Sequence, residues 1–89
     1  MEITRAPMIE TRYIAPTNTK PGRVVAYYLN HRKQRLMVSW DHGKDIFENH
    51  LAVAQALVDK RDVDHGKVRI DRACGVENGG YVFSLEWVK

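Results

Sequence analysis

Cysteine is nearly missing from this chain: Cys74 is the one thiol among 89 residues. A single cysteine excludes an internal disulfide framework and fits a reducing cytosol. Long apolar runs are missing too. The longest fall far short of the ~20 residues that cross a bilayer, and the opening MEITRAPMIE lacks a basic stretch followed by an apolar one. No secretory signal is read from it. The expectation is a soluble, cytoplasmic protein with no membrane partner. Internal repeats, low-complexity segments and linkers are also absent from the sequence.

A chain of 89 residues has room for one hydrophobic core, so residues 1–89 read as a single domain, with 1–7 expected as a flexible or extended N-terminal arm. A domain this small buries only about 60–65% of the surface its unfolded form exposes. Most apolar side chains must then serve the core. Little is left to build a deep, enclosed active site, and the expectation is a protein that is not an enzyme.

Recognisable catalytic and metal-binding patterns are lacking as well. His31, His42, His50 and His65 show neither the HxxxH nor the HExxH spacing that sets two ligands on one helical face. Cys74 has no CxxC partner, and a reactive thiol needs a neighbouring cation or imidazole to lower its pKa. Asp41-His42 are sequence neighbours, which seldom point at one another. His50, in the first turn of a helix, reads as partly exposed and bonded to nearby backbone. No glycine-rich phosphate loop occurs. No metal and no cofactor are expected.

Acidic residues are scarce in the first part of the chain. Residues 1–40 carry Arg5, Arg12, Lys20, Arg23, Arg32, Lys33 and Arg35 against Glu2 and Glu10, a net +5; residues 41–65 carry six acids against three cations, a net −3; the whole chain is +3. Such asymmetry is the usual footprint of one cationic face that meets a polyanion.

What is present is clear periodicity. Met8 to Ile14 places Ile9, Thr11 and Tyr13 on one face by the two-residue period of a strand. Pro16 ends it. In the loop that follows, Lys20-Pro21-Gly22 is turn chemistry, with glycine available for a positive φ. Arg23 to Asn30 is rich in β-branched and aromatic residues and reads as a second strand. Gln34 to Trp40 alternates Leu36, Val38 and Trp40 against Arg35, Met37 and Ser39, which leaves His31-Arg32-Lys33 as a cationic hairpin loop.

Asp45 and Glu48 match a capping box at a helix start. Phe47, Leu51, Ala54, Leu57 and Val58 then form one apolar stripe at helical spacing. Asp64-His65-Gly66 breaks the helix. Lys67 to Ala73 and Tyr81 to Val88 read as two more strands, the second with Tyr81, Phe83, Leu85 and Trp87 on one face, joined by Glu77-Asn78-Gly79-Gly80. The order β-β-β-α-β-β predicts an α+β domain: a single helix packed on an antiparallel sheet of four or five strands.

Within that frame the basic residues are the candidate site. Arg12, Lys20, Arg23, Arg32, Lys33 and Arg35 fall on the first three strands and their loops, placed to contact phosphates. Thr17 and Asn18 can position a nucleic-acid backbone, as hydroxyl and amide side chains commonly do. Tyr27 and Tyr28 must face opposite ways, so one is expected in the core and the other can offer a stacking surface.

Three blocks carry a resemblance. Thr11, Arg12, Tyr13, Pro16, Thr17, Asn18, Thr19, Lys20, Arg23, Val24 and Ala26 form the first; Trp40-Asp41-His42 with Asn49-His50 the second; Gly80-Tyr81-Val82-Phe83 the third. In that order they resemble a family of small uncharacterised proteins encoded by bacteriophages, plasmids and integrative mobile elements. Where members often carry Gly-Ser before the arginine, this chain has Pro21-Gly22. The resemblance implies a setting, mobile DNA in a bacterial host cell, and not a mechanism; in that setting small proteins without catalytic motifs mostly act by binding, in two classes. The first is a non-catalytic module that binds DNA or RNA through a basic sheet face and loops. The alternative is a protein-binding inhibitor of a host defence complex, of anti-CRISPR or anti-restriction type. A monomer and a dimer are both compatible with this reading.

Overall fold

Residues 8–29, 31–65, 68–76 and 79–87 are described by the computed structural model. The arm expected at 1–7, the turn residues Glu77 and Asn78, Gly66 and the Trp87 side chain lie outside the described residues. The elements run β1 Met8–Ile14, β2 Arg23–Tyr28, β3 His31–Ser39, α1 Ile46–His65, β4 Val68–Gly75 and β5 Tyr81–Trp87. This is the α+β order that periodicity predicts, with five strands.

All strand pairs are antiparallel, and the sheet order is β3-β2-β1-β5-β4. The first three strands make a meander. α1 then carries the chain from the β3 edge across one face to the opposite edge, and β5 returns beside β1. The N-terminal strand is therefore central, hydrogen-bonded on both sides.

Burial follows the strand parity. Ile9, Val24, Ala26, Tyr28, Phe83 and Leu85 face α1 and are closed over by Val53, Ala54, Leu57 and Val58. Removing such surface from water contributes about 25 cal/mol per Å² of apolar area. Leu51 packs at the margin of this core. Phe47, expected in the apolar stripe, stays 39% exposed and rests edge-on against Tyr81.

Three local expectations are corrected. His31, Arg32 and Lys33 belong to β3 and not to a loop, and the turn comes earlier, at Leu29. A register shift explains this: Tyr27 pairs with Arg35 while Tyr28 pairs with His31, so residues 32–34 bulge from β3. Gly22 has no positive φ; that conformation belongs to Gly79, at 83°. At 22 the glycine makes a close approach instead: a Cβ there would lie 2.9 Å from the Tyr13 hydroxyl, the end of a half-exposed side chain. Finally His50 is fully buried, its Nδ1 2.7 Å from Thr11 Oγ1 across the helix–sheet interface.

Half of the capping box forms. The Asp45 carboxylate accepts the Glu48 N–H at 2.7 Å, satisfying a donor that the helix leaves free. Glu48 itself is exposed.

Candidate nucleic-acid interface

Because α1 covers one side of the sheet, residues of opposite parity make an open face. Across β1, β2 and β3 the register aligns Arg12 with Val25 and Met37, Glu10 with Tyr27 and Arg35, and Ile14 with Arg23 and Ser39. Arginines from all three strands thus share the uncovered side. Arg12, Arg32 and Arg35 border a groove of about 470 Å³ with Val25, Tyr27 and Met37. Val25 is only 8% exposed although it faces away from the helix. Long side chains cover apolar surface with their stems while their charged heads stay wet.

The bulge in β3 has a consequence at this groove. Arg32 lies over the Tyr27 ring, its Cζ 5.5 Å from the centroid, within range of cation–π attraction. Arg23 sits alongside, with Nη1 3.4 Å from Met37 Sδ.

Glu10 is the one acidic residue between positions 8 and 39. Its carboxylate accepts a hydrogen bond from the Tyr27 hydroxyl. Burial first, and then the bond to Glu10 and its negative charge, push the Tyr27 pKa up, while Arg12 and Arg32 pull it down. The phenol stays a neutral donor at physiological pH. The remaining half of the open face balances its charge: Arg69 pairs with Glu86, and Arg72 lies 3.7 Å from Asp71.

Of the residues expected to form the site, Arg12, Arg32 and Arg35 meet in one groove with Arg23 beside it. Lys33 is exposed on the bulge and does not line the groove. Thr17, Asn18 and Lys20 are exposed in the β1–β2 loop. There the Thr17 N–H bonds the Lys20 carbonyl at 2.9 Å, and the Lys20 N–H bonds Thr17 Oγ1 at 3.2 Å. That turn is closed on itself, at the end of the sheet away from the start of β3. Of the two tyrosines, Tyr28 is core and Tyr27 faces the groove.

A second cluster escaped the sequence reading. Trp40 meets Tyr13 edge-on at 5.0 Å and His50 at 5.9 Å, and His50 meets Tyr81 at 5.0 Å. A signal for it existed: His50 stands four residues before Ala54 and seven before Leu57, the spacing of the core stripe, and Thr11 shares its strand face with Ile9. His42 and His50 border one cavity there. Cys74 pairs with Val82 and lies on the opposite, open side of the sheet. Among the described residues no group of three or more His, Cys, Asp or Glu is arranged to hold a metal. None of the described helices is long and apolar enough to cross a membrane.

No protein family, curated protein or solved structure matches this chain.

Proposed function

We propose that the protein binds nucleic acid, without catalysing a reaction on it, through the open face of β1–β3. The observation that carries the reading is the groove in which Arg12, Arg32 and Arg35 converge around Tyr27. Guanidinium groups recognise phosphate by paired, charge-assisted hydrogen bonds. Tyr27 adds a ring surface, and the face's one carboxylate is engaged by that tyrosine. Arg23 and Lys33 extend the cationic field, while Thr17, Asn18 and Lys20 act from the loop on more distant backbone. The phage and mobile-element setting that the resemblance implies suits a small binding protein of this kind in a bacterial cytoplasm.

Titrating a fluorescent single-stranded oligonucleotide at two salt concentrations tests the proposal. Each neutralised phosphate contributes about −0.7 to the slope of log K against log salt. An Arg12→Ala/Arg35→Ala double variant is expected to lower the magnitude of that slope by about 1.4. Failure of the wild-type protein to bind at low salt ends this reading. The alternative, an inhibitor of a host defence protein, draws on the two sheet edges, β3 and β4, since an edge strand can add to a partner's sheet. One protein partner retained after nuclease treatment of a host lysate would favour it.

A further inference from the structure

The arginine groove has a floor as well as a rim. Ile14, Val25 and Met37 line it between the cations, on the side of the sheet away from α1. The helix-packed core lies on the other side, where Val24 and Ala26 of the same strand are buried, and it includes none of these three residues. Met37 stays 39% exposed. A cradle built for phosphate alone needs no apolar floor.

The cations stand on opposite sides of that floor. Arg12 lies on β1, level with Val25 of β2 and Met37 of β3, while Arg35 lies on β3, two residues along, level with Tyr27 and Glu10. β1 and β3 flank β2, so the two arginines start from strands roughly 10 Å apart. Val25 and Tyr27 of β2 span the gap. Arg32 adds a second flat surface, because its guanidinium lies over the Tyr27 ring, 5.5 Å from the centroid. Bases stack on guanidinium planes as they do on aromatic rings. The groove, at about 470 Å³, falls within the roughly 300–1,000 Å³ of small-ligand sites.

We infer that the groove seats one unpaired base, its face on Val25 and Met37 and against the Arg32–Tyr27 stack, while Arg12 and Arg35 hold the phosphates on either side of it. The inference rests on the nucleic-acid reading above and narrows its substrate class to single strands. In a duplex the base faces are stacked on one another, and only edges and phosphates are on offer. A duplex fills this floor only after a base has been unpaired.

The test measures fluorescence anisotropy with three probes: an oligodeoxyadenylate, an abasic oligomer of the same length and phosphate count, and the blunt duplex of the first with its complement. One stacked base typically contributes about tenfold in affinity. Wild-type protein is expected to prefer the base-bearing strand to the abasic one about tenfold, and to bind it more tightly than the duplex. Met37→Gln, a neutral change at an exposed position, is expected to lower the first ratio about threefold without changing the salt slope. Arg32→Gln, also exposed, removes the guanidinium plane and is expected to lower the ratio too. In the wild type the Met37 ε-methyl resonance should move upfield, under the base's ring current, with the base-bearing strand and not with the abasic one. Equal binding of those two oligomers overturns the inference and leaves the phosphate interface standing. Duplex binding as tight as single-strand binding, a ratio that neither variant changes, or an unmoved methyl resonance at saturation overturns it as well. Loss of all binding at low salt removes both proposals.

Discussion

Asn49 clasps the backbone of Asp41 from both sides: its Oδ1 accepts the Asp41 N–H at 2.8 Å and its Nδ2 donates to the Asp41 carbonyl at 2.9 Å. The same Nδ2 lies 3.0 Å from the Asp45 carbonyl oxygen. One buried amide therefore holds the whole connection between β3 and α1 against the start of the helix. The aromatic cavity owes its shape to that loop, because Trp40 and His42 flank Asp41.

Replacing Asn49 by alanine removes these bonds from part-buried backbone groups. Each such group costs about 1–3 kcal/mol, and some of them will find water. The expected loss is about 2 kcal/mol in urea unfolding. In a domain of this size that corresponds to a fall in Tm of roughly 8–16 °C. A change below about 0.5 kcal/mol, the scale of an ordinary surface substitution, would show that the loop holds itself without the amide.

Thr11→Val tests the polar bond at the centre of the sheet. Valine keeps the shape of threonine but gives His50 Nδ1–H no acceptor, and a buried unpaired donor costs about 1–3 kcal/mol. Thr11→Ser keeps the hydroxyl and is expected to recover most of the loss. Equal stabilities for the valine and serine variants would mean that the 2.7 Å contact contributes nothing net.

The pH dependence of stability should carry the mark of His50. Its native pKa lies below the ordinary 6.5 because burial disfavours the imidazolium. As pH falls below about 6.5, the unfolded chain takes up a proton that the native state refuses. Stability from this group is complete above that point, declines by up to about 1.4 kcal/mol per pH unit as pH drops toward the native pKa, and levels off beneath it. Subtracting the profile of His50→Gln from that of the wild type isolates the contribution. A difference that stays flat between pH 7 and 5 would contradict a buried neutral ring.

The architecture was legible because most strands alternate against a single covered face; β2, where Val24, Val25 and Ala26 are all buried, was read from its β-branched and aromatic residues instead. Leu36, Val38 and Trp40 declare their side whatever surrounds them. His31-Arg32-Lys33 misled because a polar run next to Asn30 looks like a loop, and only the register shift at Tyr27 and Tyr28 makes it strand. The arginine groove was half visible: charge counting located the right strands, yet it could not say that Lys20 and Lys33 stand apart. His50 was hidden for a different reason. Hydropathy treats imidazole as polar, and its burial depends on a threonine 39 positions away.

Gly22→Ala probes the wall between groove and cavity. The new Cβ would meet the Tyr13 hydroxyl at 2.9 Å and a ring carbon at 3.3 Å. Tyr13 is half exposed and can swing clear, so stability should change by less than about 1 kcal/mol. The edge contact of Tyr13 with Trp40 would be lost. In a Trp87→Phe background, where Trp40 is the only tryptophan, its emission should shift. Unchanged emission would show that Tyr13 yields without leaving Trp40.

Glu10→Gln gives the sharpest check on the electrostatics of the open face. The carboxylate holds one negative charge among Arg12, Arg32 and Arg35, and its partner Tyr27 can donate equally well to a glutamine carbonyl. Removing the charge should therefore leave the fold intact while raising the potential over the groove. At low salt, affinity for a single-stranded oligonucleotide is expected to rise about three- to tenfold, through faster association more than slower release. The gain should shrink as salt screens it, since the Debye length falls from about 30 Å at 0.01 M to about 8 Å at physiological ionic strength. Glu86→Gln, across the sheet where the charge is already paired with Arg69, is the matched control and should change affinity less. If the two substitutions have equal effects, the phosphates do not run along the β1–β3 groove.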